Sequence, residues 1–303
     1  MSKEVIKVES LTKDYGNGHG VFDLNFSIKE GEAFGFVGTN GSGKTTTIRH
    51  IMGFLKPDNG SVTVRGKDAW EDACEIKKYV EYVPGEIAFP DLKDGTTFLK
   101  SQAELLGLQD MSYAGKLVER LQLDTTANLK RMSKGMKQKT AIVSALMADK
   151  QVLILDEPTT GLDPLMRETF LQIIKEEKAK GKTILMSSQM FGELEEICDR
   201  VAFIFNGKIV DIADINALKN EKSSVLKVEF ERQKDFLAVR EMDFNITRVQ
   251  PEYNQLTFKI SNDQLTAMFK FLKEYKLKYI VCQEFNLEKY FKAILLKGGE
   301  ENV

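Results

Sequence analysis

One glycine-rich stretch limits what this chain can fold into more than anything else in it. Gly38-Thr39-Asn40-Gly41-Ser42-Gly43-Lys44-Thr45 fits the pattern G-x-x-x-x-G-K-[ST]. Before it, Ala33-Phe34-Gly35-Phe36-Val37 is apolar throughout, as a strand buried on both faces reads. After it, Ile48, Ile51, Met52 and Leu55 follow helical spacing, until Lys56-Pro57-Asp58-Asn59-Gly60 supplies turn chemistry. Strand, glycine loop and helix in that order form a phosphate cradle. The glycines let the backbone curl with its N–H groups pointing inward, and the helix start adds a partial positive charge. Lys44 brings a point charge for phosphate oxygens, and the Thr45 hydroxyl is a candidate Mg²⁺ ligand. Asn40, Gly41, Ser42, Gly43 and Thr46 complete the candidate nucleotide-binding set. A ligand-free glycine turn would not account for the agreement of all three elements.

Val152-Leu153-Ile154-Leu155-Asp156-Glu157-Pro158 is a second apolar strand, with two carboxylates at its C-terminal end. Ligands of open α/β sheets bind at such ends. Asp156 can hold Mg²⁺ through water, and Glu157 can polarise a water that attacks a terminal phosphate. Capping of the next helix is the plain alternative for such a pair. Thr183-Ile184-Leu185-Met186 reads as a third buried strand. Helical patterns fall between these strands, so the core is expected to be α/β with a mainly parallel sheet. Residues 4–9 and 21–28 alternate as half-buried strands, and residues 96–123 read as a charged helical insert.

The charge balance of 43 basic against 45 acidic residues, net −2, leaves no global field to hold nucleic acid, and no nucleic-acid partner is expected. Cys74, Cys198 and Cys282 are far apart and read as free, buried thiols. No stretch approaches the ~20 apolar residues of a bilayer span, and the N-terminus lacks a signal-peptide pattern. The chain is therefore expected in the cytosol, or at a membrane only through a partner.

Met132-Ser133-Lys134-Gly135-Met136-Lys137-Gln138-Lys139 opens a helix ahead of the acidic strand end. It resembles the ABC signature, usually Leu-Ser-Gly-Gly-Gln, with Ser133 and Gly135 kept. A solvated basic face is the plainer reading of its lysines. Thr160-Gly161-Leu162-Asp163 is similar to the D-loop of the same family, and Tyr15 matches its adenine-stacking aromatic. The resemblance spans roughly residues 3–215. It implies an ABC ATPase cassette of about residues 1–220, with a helical subdomain near 90–145. It implies ATP and Mg²⁺ as ligands, and a head-to-tail dimer in which Ser133 and Gly135 of one copy clasp the nucleotide on Lys44 of the other. Glu157 and Lys44 take catalytic roles in that scheme.

The chain departs from the family at two places. After Tyr82-Val83-Pro84 the family places Gln; here stands Gly85, followed by Glu86, whose oxygens make it a candidate metal ligand. In Ser187-Ser188-Gln189, Gln189 replaces the usual His. Its amide can donate a hydrogen bond but carries no charge or proton, so slowed hydrolysis is expected. From about residue 222 to 297, strand and helix patterns predict a small α+β domain, ending in a helix with Leu287, Tyr290, Phe291, Ile294 and Leu295 on one face and a loose tail from Gly298. A cassette with such a domain resembles ATPase subunits of bacterial ABC-2-type exporters. That resemblance implies a second ATPase subunit, most simply an identical one, and a multi-span permease that carries the transported substrate, a drug or peptide among the classes. It also implies a place on the cytoplasmic face of the plasma membrane. The rival is a soluble ABC ATPase acting on ribosomes or nucleic acid.

Overall fold

A computed structural model describes residues 3–219, 223–283 and 286–300. The chain divides into two compact units, Met1–Ile215 with Glu288–Val303, and Asn216–Leu287.

The first unit starts with β1 (Glu4–Asp14) and β2 (Gly20–Lys29), which pair antiparallel. Then comes β3 (Ala33–Val37), buried at all five positions. Helix α1 (Lys44–Ile51) stops sooner than its apolar spacing suggests, so Leu55 lies outside it. Gly53 ends it at φ +66, where an added Cβ would lie 2.1 Å from the Ala69 carbonyl oxygen. Strands β4 (Asn59–Val64) and β5 (Lys67–Asp68) complete an antiparallel sheet of order β2-β1-β4-β5. Short helix α2 (Ala73–Ile76) leads to β6 (Val80–Val83).

The helical insert is α3 (Gly95–Leu106), α4 (Ser112–Arg120) and α5 (Lys134–Leu146). Asp94 caps α3 by accepting from the Thr97 amide at 2.8 Å, and Gly107 ends it at φ +68. Strand β7 (Val152–Asp156) follows, then α6 (Pro164–Ala179), which Asp163 caps with Pro164 in its first turn. Next come β8 (Thr183–Ser188), α7 (Phe191–Ile197), β9 (Arg200–Phe205), β10 (Lys208–Asp214) and α8 (Ile215–Lys219). The second sheet has the order β10-β9-β3-β8-β7-β6, parallel except for the β10 edge. Strands β3, β7 and β8 are buried at every position, which is why they read as unbroken apolar runs. The insert is pinned to α6: the Tyr113 hydroxyl donates to Glu177 at 2.5 Å, and the Arg120 fork reaches Glu176 at 2.6 and 2.8 Å.

The second unit runs β11 (Ser223–Phe230), α9 (Gln233–Arg240), β12 (Ile246–Gln250), β13 (Gln255–Ser261), α10 (Leu265–Leu272) and β14 (Leu277–Gln283). Its sheet, β12-β13-β11-β14, is antiparallel at every pairing, a ferredoxin-like β-α-β-β-α-β arrangement. Leu226, Val228, Phe230, Phe236, Leu256 and Phe258 form its own core.

The last helix, α11 (Leu287–Glu300), belongs to the first unit rather than to the small domain. Phe291 stacks on Phe203 of β9 at 5.3 Å, and the Tyr290 hydroxyl donates to Asp211 of β10 at 2.8 Å. Periodicity shows that a helix has an apolar face, not which surface covers it. The helix continues to Glu300 where a loose tail was expected, while residues 301–303 lie outside the described residues, as does the domain boundary expected at 220–222. Cys74 and Cys282 are exposed, and Cys198 alone of the three is buried.

Helix α7 rests closely on β3. A Cβ added at Gly35 would lie 2.9 Å from Val201, 3.1 Å from Cys198 and 3.2 Å from Leu194 side-chain atoms. Gly35→Val is expected to destabilise the fold by about 1–3 kcal/mol through overpacking. Chemical denaturation would show this as a lower midpoint at unchanged slope.

Candidate active site

Beyond Val37 the chain turns back on itself in a space that admits no side chain. A Cβ at Gly38 would lie 2.2 Å from the Ile204 carbonyl oxygen and 2.6 Å from Ser42 Oγ. At Gly43, φ +112, it would lie 2.7 Å from Val21 Cγ1. The turn draws Lys44 inward to 4 % exposure. Its Nζ donates to the carbonyls of Gly38 (2.8 Å) and Thr39 (3.1 Å) and sits 3.5 Å from Glu157 Oε1. Burial pushes the Lys44 pKa down, and the Glu157 charge works against that shift. Ser42 Oγ is buried with no hydrogen-bond partner among the described residues, an atom left for a ligand. A cleft of about 260 Å³ opens here, lined by Tyr15, His19, Gly20, residues 40–46 and Glu157.

At the end of β7, Asp156 is fully buried. Its Oδ1 accepts from Ser187 Oγ at 2.6 Å, while Oδ2 has no partner among the described residues. Burial raises its pKa, offset by the Ser187 hydrogen bond and by the neighbouring Thr45 side chain. The Ser187 hydroxyl also accepts from the Glu157 amide at 2.9 Å, and Glu157 takes the left-handed conformation at φ +46. This turn sends its carboxylate toward Lys44. Gln189 Nε2 donates to both carboxylate oxygens of Glu157, at 3.0 and 2.9 Å.

Thr45 and Asp156 therefore come together as oxygen donors, with one buried carboxylate oxygen free, and this fits a hard cation. Glu86 does not join them. It is exposed, and its side chain has no hydrogen bond or ion pair among the described residues. Gly85 takes the place beside the carboxylate, where a Cβ would lie 3.4 Å from Asp156 Oδ2.

Ser133 and Gly135 do not line this cleft. Ser133 caps α5, accepting from the Met136 amide at 3.2 Å. Gly135 faces the 160–163 turn so closely that a Cβ would lie 2.7 Å from the Gly161 carbonyl oxygen.

Two contributions escape the sequence reading. His19 and Gly20 line the cleft beside Tyr15; the glycines at 16, 18 and 20 around a lone histidine were the available signal. Glu193, 3 % exposed, accepts from Ser188 Oγ at 2.7 Å and Thr159 Oγ1 at 3.0 Å, with Arg167 at 3.4 Å. It ties the loop after β8 to the loop after β7. Its only mark in the sequence is a charge on the inward face it shares with Leu194 and Ile197.

A mainly parallel sheet that brings a glycine loop, a buried aspartate and a glutamate to one cleft defines a P-loop nucleoside triphosphatase cassette. Residues 21–160 match the family described as ABC transporter. The chain is 33% identical over 251 residues to the bacitracin transport ATP-binding protein BcrA of Bacillus licheniformis, covering 80% of each. It is 34% identical over 216 residues to the Nod factor export ATP-binding protein I of Burkholderia orbicola, covering 69% of this chain and 70% of the relative. A solved structure, "Structure of ATP binding subunit of ABC transporter", matches with a TM-score of 0.64 at 28% identity, over 72% of this chain and 92% of that one. This chain belongs to the ABC transporter family as an ATP-binding subunit, and it is an ATPase.

Because burial holds the Asp156 pKa above its unfolded value, the folded state resists ionising it. That penalty appears as pH rises through the unfolded pKa and is complete above the folded one. Asp156→Asn is expected to raise the thermal midpoint of the nucleotide-free chain at neutral pH and to abolish hydrolysis. The stability gain should vanish only as pH falls below the free carboxylate value of about 3.9, where both states come to carry the proton, and melting curves across that range check it.

Proposed function

We propose that this subunit hydrolyses Mg-ATP between two copies of itself and drives a separate multi-span permease as an exporter. Support for the reading comes from one arrangement: Lys44 and Glu157, the latter held by Gln189, line a cleft that lacks Ser133 and Gly135 of the same chain. A second copy placed head to tail supplies the missing half. Lys44 and the loop amides hold the phosphates, and Tyr15 stacks on the base. Ser133, with the α5 N-terminus, clasps the terminal phosphate from the opposite copy. Magnesium, held by Thr45 and Asp156, supplies charge neutralisation at the phosphate oxygens. Glu157 takes the proton of the attacking water, and the Gln189 amide fixes the carboxylate that does so. Loss of the terminal phosphate removes contacts made only in the closed pair, and the pair reopens.

No helix among the described residues is long and apolar enough to cross a membrane, so transport needs a membrane partner. The relatives' names, bacitracin transport and Nod factor export, favour export of drug-like or peptide cargo from the cytoplasmic face of the membrane. Phe89, in the segment after β6, packs its ring 4.8 Å from Phe98 of the insert. That places the segment against the insert, where a permease would act on both.

Glu157→Gln removes the proton acceptor but keeps the shape, and it should trap an ATP-bound dimer. Size-exclusion chromatography with Mg-ATP reads this directly, and a monomer would argue against the shared site. Gln189→His restores a group able to carry charge and is expected to raise turnover several-fold, about what general acid–base groups contribute at their lower end or below. Steady-state phosphate release measures it, and an unchanged or lower rate would remove the assignment of Gln189.

A further inference from the structure

Helix α11 brings aromatic rings onto the first unit at one spot. Phe291, 5 % exposed, stacks on the fully buried Phe203 at 5.3 Å with planes 14° apart. Its other neighbour is Phe191, at 5.8 Å and 41°. Tyr290 packs on Phe203 at 5.6 Å and is anchored by its hydrogen bond to Asp211. Phe191 is the first residue of α7 and stands next but one after Gln189.

The intervening turn is short. The Met190 amide donates back to Ser188 Oγ at 2.9 Å, and Gln189 and Met190 are both exposed, with little packing of their own. The place where α7 begins therefore decides where the Gln189 amide falls. On its inner side that first turn is held by buried Glu193 and by Leu194 over Gly35. On its outer side the ring of Phe291 meets it.

We propose that Phe291 is a positioning residue for ATP hydrolysis: held on Phe203, it fixes the first turn of α7 through Phe191 and so keeps the Gln189 amide on the Glu157 carboxylate. This rests on the reading of Glu157 and Gln189 as the reacting centre. It gives α11 a role that its distance in sequence from every motif conceals. The chain enters α11 on leaving the second unit at Leu287.

The test uses the full-length chain, with steady-state Mg-ATP turnover and a fluorescent ATP analogue for affinity. Phe291→Ala should lower kcat about three- to tenfold, the range expected for losing one aromatic pair that orients a group. Nucleotide affinity should be unchanged, and Phe291→Leu should retain most of the rate. In a Gln189→Ala background, Phe291→Ala should cause no further loss, because the residue acts through that amide. Losses that multiply, an unchanged kcat, or weakened binding at normal kcat would each overturn the proposal. If Phe291→Ala loses its cooperative melt, Phe191→Ala removes the facing ring and carries the same expectations. A Gln189→Ala variant with normal turnover would bring down the assigned role of Gln189 and this inference together. A slow Gln189→Ala beside a normal Phe291→Ala would remove only the inference.

Discussion

The approach of the Gly38 backbone to Ile204 is the contact on which the rest of the molecule turns. Strand β3 lies between β8 and β9, and the loop that leaves it must pass over the end of β9 with no room for a Cβ. That passage lets the chain fold back, so the carbonyls of Gly38 and Thr39 meet the ammonium of Lys44. A lysine with 4 % exposure is tolerable only because carbonyl oxygens and a carboxylate surround it. The same groups keep it poised for phosphate oxygens, which offer a denser negative charge.

The second half of the cleft depends on the register of two neighbouring parallel strands. Asp156 on β7 stands opposite Ser187 on β8. One hydroxyl then serves two purposes, donating to the Asp156 carboxylate and accepting from the Glu157 amide. Glu157 adopts a left-handed backbone there, a conformation that surrounding contacts must maintain. Glu193 reinforces the arrangement from below by accepting from both loops at once. A slip by one residue between β7 and β8 would turn every one of these side chains to the wrong face.

The insert that carries Ser133 is held to α6 by charged and hydroxyl contacts, Tyr113 to Glu177 and Arg120 to Glu176. The Gly135–Gly161 approach fixes the start of α5 on the turn that follows Glu157. The two groups of residues proposed to clasp a nucleotide are thus mounted in one chain, yet apart. Such a layout suits a device whose closure needs a second body, because neither half can satisfy the other alone.

The chain by itself determined the α/β class, the cradle at residues 38–45 and the acidic strand end at 156–157. Each is written in local patterns: apolar runs of strand length, helical spacing after Lys44, and glycines where the backbone must turn. Tertiary structure alone decided the rest. It showed Gly85, and not Glu86, beside the Asp156 carboxylate, since which of two adjacent residues faces inward follows from loop path. It placed Gln189 on Glu157 and brought in Glu193, because hydrogen bonds between loops tens of residues apart leave no periodic trace. It also returned α11 to the first unit through Phe291 and Phe203. Periodicity records that a helix has an apolar face, whereas the identity of the surface that covers it is set by shape and burial across the whole fold.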